Sequence, residues 1–115
     1  MTDKVVVLVT TNGPAQGRKI AAALVEKRLA ACVNLVSHIR SFYRWEGKIQ
    51  NNRECLLIIK TARQLFSELR AEVERLHSYQ VPEVICLPIV EGAAGYLNWI
   101  EESVTPRPAP DPGRR

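Results

Sequence analysis

The sequence predicts an α+β fold of the ferredoxin-like kind, a β-α-β-β-α-β sandwich with an extra C-terminal helix. Three observations lead there. Stretches with strand and helix patterning alternate along the chain, a two-residue turn signal splits the middle of that order into a hairpin, and 115 residues suffice for one modest core. Two β-α-β units joined through a hairpin close into four antiparallel strands with helices on one face.

The first element, "KVVVLVTT" (Lys4–Thr11), is β-branched and apolar without alternation, which marks a strand buried on both faces. "NGP" ends it, and Pro14 introduces an Ala-rich helix from Ala15 to about Leu29, with Ile20, Ala21, Leu24 and Val25 at helical spacing. Cys32 to Trp45 then alternates: Val33, Leu35, Ile39, Tyr43 and Trp45 share one parity, as in a long half-buried strand. Glu46-Gly47 makes the turn, and the return strand Lys48–Thr61 is polar in "KIQNNRE" and wholly apolar in "CLLII". The hairpin therefore starts outside the core and ends within it.

Leu65, Phe66, Leu69, Val73 and Leu76 form one stripe, the apolar face of the second helix. "VICLPIV" (Val84–Val90) is a short strand, and its Pro88, lacking an N–H, belongs at a sheet edge or a bulge. A third helix from about Ala93 to Val104 brings Leu97, Ile100 and Val104 together. Residues 1–105 read as a single domain, and 106–115 as a Pro/Arg-rich flexible tail.

One-sided helices leave a difficulty. The far sheet face should be polar, yet "VVVLV" and "CLLII" are apolar on both parities, and Phe42, Tyr43 and Trp45 at the hairpin tip have little local core. The economical explanation is a homo-oligomer whose subunits cover that face.

Composition narrows the function. A net charge of +4, half of it in the last ten residues, is too small and too spread for a nucleic-acid surface. Three separated cysteines, Cys32, Cys55 and Cys86, fit reduced thiols in the cytoplasm better than a disulfide framework. The five-residue apolar run near the N-terminus is too short for a leader or a membrane span. No phosphate-binding glycine motif, triad pattern or carboxylate pair stands out, so nothing in the sequence supports catalysis.

Side chains able to bind something gather in "HSYQVPEV" (His77–Val84), between the second helix and the fourth strand, where a plain connector needs only turn residues. His77 is either an imidazole ligand or a ring resting on the helix C-terminal dipole. Glu83, its backbone fixed by Pro82, is a ligand or one half of an ion pair between subunits. Tyr79 donates to a bound ligand or across an interface. Cys32, on the polar parity of its strand, is a soft-metal ligand or a small inert group. Lys60 is a pocket cation or a side chain whose stem lies on apolar surface.

Four blocks resemble the CutA family, the divalent-cation tolerance proteins, over roughly residues 4 to 104. These are "EKRLAACVNL" (Glu26–Leu35), "SFYRWEGKI" (Ser41–Ile49), "HSYQVPEV", which is similar to the family's H-x-Y-x-x-P-E signature at His77, Tyr79, Pro82 and Glu83, and "YLNWI" (Tyr96–Ile100). Gln80 departs from the pattern, standing where an acid is common and making the site less acidic. The resemblance implies a PII-like homotrimer and a link to copper or another divalent cation, with Cys32, His77 and Glu83 as metal candidates. Lys60, Tyr79, Pro82, Trp45 and Tyr43 would then line a ligand pocket or the subunit interface. Two functions follow from this: a cytosolic trimer that binds copper or another divalent cation, or a PII-like signalling or scaffolding trimer that takes a small metabolite or a protein in its inter-subunit clefts.

Overall fold

A computed structural model describes residues 1–106, so the tail expected beyond Pro106 lies outside the described residues. The elements are β1 (Lys4–Thr11), α1 (Pro14–Glu26), β2 (Cys32–Trp45), β3 (Lys48–Ala62), α2 (Phe66–Leu76), β4 (Val84–Pro88) and α3 (Ala94–Val104), with a 3-10 turn at Arg63–Leu65. The sheet has the order β2-β3-β1-β4, all neighbours antiparallel. This is the α+β arrangement expected, and Pro88 sits on edge strand β4 where its missing donor costs no ladder bond.

One face of the sheet carries the core. Val5, Val7 and Val9 of β1 stand beside Cys55, Leu57 and Ile59 of β3, under Ile20 and Leu24 of α1 and Leu69 and Val73 of α2. Helix α1 comes close because Gly17 has no side chain: a Cβ there would meet Cys55 Sγ at 3.2 Å and Leu57 Cδ2 at 3.3 Å. That contact gives buried Cys55 a packing role. A second cluster, Ala31, Ala62, Ile100 and Val104, fixes α3 to the end of the sheet. Leu65 joins this second cluster from the 3-10 turn and so leaves the α2 stripe in which its spacing placed it. Lys4, buried, reaches Asp3 at 2.5 Å and Glu101 at 2.8 Å and ties β1 to α3.

Two boundaries move for local reasons. Helix α1 stops at Glu26, short of Leu29, because Arg28 adopts φ 58°, while Leu29 N–H donates to Leu24 O and Arg28 N–H to Val25 O. This pair of bonds is a Schellman end with arginine in the usual glycine place. In β2, Ser37 and His38 stand opposite the single residue Cys55, and His38 has φ 64°. The extra residue is a β-bulge, and it reverses which parity faces which side. Val33 and Leu35 face the helices opposite Ile59 and Leu57, but Ile39, Tyr43 and Trp45 pair with Glu54, Gln50 and Lys48 and face the far side. The single stripe expected from parity is thus two half-stripes on opposite faces.

The far face holds half-buried Val6, Leu8, Leu56 and Ile58 with more exposed Val36, Ile85 and Leu87. Within one chain β1 is therefore fully buried on one side only. Past the bulge, β2 and β3 continue as a two-stranded arm closed by Glu46 and Gly47, both at positive φ as a type I′ turn requires. The long axis of the chain is 62 Å.

Candidate functional site

The loop from His77 to Glu83 is anchored at its first residue. His77 caps α2 with its own N–H on Val73 O, then turns extended at ψ 144°. Its Nε2 lies 2.7 Å from Thr10 O, just past the point where pairing of β1 with β4 ends at Val9, and its Nδ1 accepts the Tyr79 N–H at 3.1 Å. In this arrangement Nε2 donates to the carbonyl and Nδ1 accepts, so both ring nitrogens are engaged. The Tyr79 ring rests against it, centroids 4.6 Å apart.

From there Tyr79 Oη donates to Glu54 Oε2 at 2.6 Å. Burial, then the bond to Glu54 and its charge, push the phenol well above its ordinary value, so Tyr79 stays a donor. Glu54 is only 6% exposed and stands where β3 changes from polar to apolar. Glu83 faces the same carboxylate: burial and then the charge of Glu54 raise its pKa.

Around this chain of contacts lies a cleft of about 700 Å³ between the arm and the loop, lined by Thr10, Tyr43, Trp45, Glu54, Tyr79 and Glu83 among others. The bulge is what aims Tyr43 and Trp45 at it. The Tyr43 hydroxyl also accepts from Asn52 Nδ2 across the arm.

The structure brings together four of the residues singled out by sequence, Tyr43, Trp45, Tyr79 and Glu83, with Pro82 beside them in the loop. Cys32 and Lys60 lie elsewhere. They pair with each other across β2 and β3, four residues along β3 from Leu56, the partner of Thr10; that spacing is roughly 13 Å at a strand's rise. Lys60 Nζ donates to Asn34 Oδ1, and burial, followed by the nearby Cys32, raises the pKa of Tyr96 on α3. Among the described residues no three His, Cys, Asp or Glu side chains group as a metal site, so Cys32, His77 and Glu83 do not meet within one chain. Glu54 and Thr10 are the members sequence reasoning missed; the only sign of Glu54 is its place at the seam between "NNR" and "CLLII".

Residues 5–103 match the family described as CutA1 divalent ion tolerance protein. The divalent-cation tolerance protein CutA of Thermus thermophilus is 48% identical over 85% of this chain and 95% of its own length. The chloroplastic protein CutA of Arabidopsis thaliana is 48% identical over 86% of this chain, which spans about half, 54%, of that relative. The solved Thermus thermophilus structure superposes with a TM-score of 0.85 at 47% identity, covering 87% of this chain and 97% of that one. The periplasmic divalent cation tolerance protein CutA from Archaeoglobus fulgidus gives 0.87 at 40% identity, covering 89% and 99%. Fold, signature loop and sequence agree over nearly the whole described chain, and the chain belongs to the CutA1 divalent ion tolerance family.

Proposed function

We propose that this chain serves tolerance of divalent metal ions by taking up a divalent cation, copper among them, in the cleft between arm and loop, as a cytoplasmic homotrimer that catalyses no reaction. The observation that carries this reading is that Glu83 and Glu54 line one partly closed cleft: a bound cation offsets the desolvation and, after it, the charge of Glu54, which together raise Glu83. Carboxylates with the neighbouring hydroxyls of Tyr79 and Thr10 form an oxygen-rich donor set, suited to Mn²⁺ or Cu²⁺ rather than to a thiolate-held Cu⁺. Two protein carboxylates leave coordination positions for water or for a neighbouring subunit. Cys32 and His77 remain ligand candidates only where other subunits bring them near. A metal at His77 must first displace Thr10 O or the Tyr79 N–H.

The trimer is supported by the uncovered apolar sheet face and by Tyr43 and Trp45 standing partly exposed at the cleft. Three free cysteines support a reducing compartment. The engagement of His77 by backbone and the protonated state of Tyr79 support a binding role, since neither group is free to act as a base. A second reading has its own support: a cleft of about 700 Å³ with two aromatic walls also suits a small metabolite in a PII-like signalling trimer.

Calorimetric titration of the full chain with MnCl₂ and CuCl₂ tests the choice. Glu83→Gln should weaken binding at least about tenfold, since even groups behind the ligands are worth that much. It should also raise the melting temperature of the metal-free protein, and Cys32→Ser should change neither. If Cys32→Ser abolishes binding and Glu83→Gln does not, the cleft is not the site. Metal-indifferent binding of a metabolite selects the second reading.

A further inference from the structure

The arm has a second face, of which Phe42 alone also borders the cleft. Opposite the side bearing Tyr43 and Trp45, cross-strand pairing sets Arg40 against Arg53, Phe42 against Asn51, and Arg44 against Ile49. All six side chains are exposed, Phe42 at 68% and Ile49 at 70%. The face holds three cations and no carboxylate. Among the described residues none of the three arginines is in an ion pair, and Arg40 bonds only the neutral Asn51, at 2.9 Å. Like charges directly opposite each other, such as Arg40 and Arg53, weaken a hairpin, so folding of the arm does not favour this arrangement.

We propose that this outer face of the arm docks on an anionic lipid surface. Arginine guanidinium groups match phosphate oxygens two bonds at a time. Phe42 and Ile49, diagonal neighbours on the ribbon, present an aromatic and an aliphatic group between those cations. Apolar groups set among cations on one face and a structured body behind it are what the headgroup boundary accommodates. A single-stranded nucleic acid would take the arginines but needs planar partners for its bases; Ile49 offers none, and Phe42 is the one aromatic ring on this face. Lying on a membrane requires no spanning helix. A subunit gripping the Tyr43 and Trp45 side would meet Phe42 at its border and leave the three arginines open, since none of them lines the cleft.

Flotation with phosphatidylcholine vesicles, with and without phosphatidylglycerol, tests the assignment at low salt. The full chain should float with the anionic vesicles and stay behind with the neutral ones. Replacing Arg40, Arg44 and Arg53 together by Gln should weaken partition by about a hundredfold, at the usual worth of a cation near such a surface. Phe42→Ser with Ile49→Ser should leave only a weak, salt-sensitive remnant. These side chains are exposed, so circular dichroism of the variants should match the parent. Failure of the parent to float, or flotation that survives loss of the three arginines, overturns the proposal. Arginine-dependent binding of a labelled single-stranded oligonucleotide without flotation overturns it in favour of nucleic acid.

Discussion

Glu72 of α2 accepts from two cations at once, Arg75 Nη2 at 2.6 Å and Lys27 Nζ at 2.8 Å, and the second lies just beyond α1. The bonds from Arg75 and then Lys27 lower its carboxyl from 4.5 to about 2. A depressed folded-state pKa means the contribution is fully present above the unfolded value and fades as pH falls. Glu72→Gln should therefore be less stable than the parent at pH 7, with the gap closing between pH 4.5 and about 2 in urea melts recorded across that range. A gap that persists at the acid end would assign the effect to packing. Charge pairs like this one join residues 45 positions apart, and the sequence gives no hint of them. The same holds at His77. Its chemistry is plain in the sequence, but the carbonyl that holds it is that of Thr10, 67 positions away, and only the folded sheet brings the two together.

At the scale of elements, periodicity carried the strands, the helices and the Glu46-Gly47 turn, because each of those depends on neighbours in sequence. The bulge depends on pairing between strands and left no compositional mark beyond a histidine in a strand. One displaced residue was enough to put Tyr43 and Trp45 on the side opposite to Val33 and Leu35. Deleting His38 should restore regular pairing and turn the arm over, sending Arg40 and Arg44 toward the cleft. Sedimentation should show a smaller assembly, and circular dichroism should report ellipticity lost in step with it. His38→Val tests the backbone separately. A β-branched residue at φ 64° should cost about 1–2 kcal/mol relative to glycine, read from chemical denaturation.

For the whole molecule, the far sheet face decides the state. Val6, Leu8, Leu56 and Ile58 are half-buried and Val36, Ile85 and Leu87 more exposed, and completing the burial of each such group is worth up to roughly 1.5–3 kcal/mol. Several together rival the ~5–15 kcal/mol that holds a typical domain folded. Assembly and folding should then be one transition. Trp45→Ala should lower the stability of the assembly by about 3 kcal/mol per chain, with dissociation and loss of secondary structure coinciding on dilution. A folded monomer keeping its ellipticity would separate the two events. The case for a partner is legible in "VVVLV" and "CLLII"; where the contacts of the proposed assembly fall is not, because that would follow from the twist and reach of the arm. The reach has a kinetic side as well. In the proposed ring an arm extends from each body and its aromatic side meets the next, so every chain both holds and is held. No subunit can leave by breaking one contact, and none can enter a closed ring without another letting go. Exchange between isotopically distinct populations should accordingly be slow, governed by opening of the ring rather than by the strength of any single contact, and an assembly once formed would keep its original members.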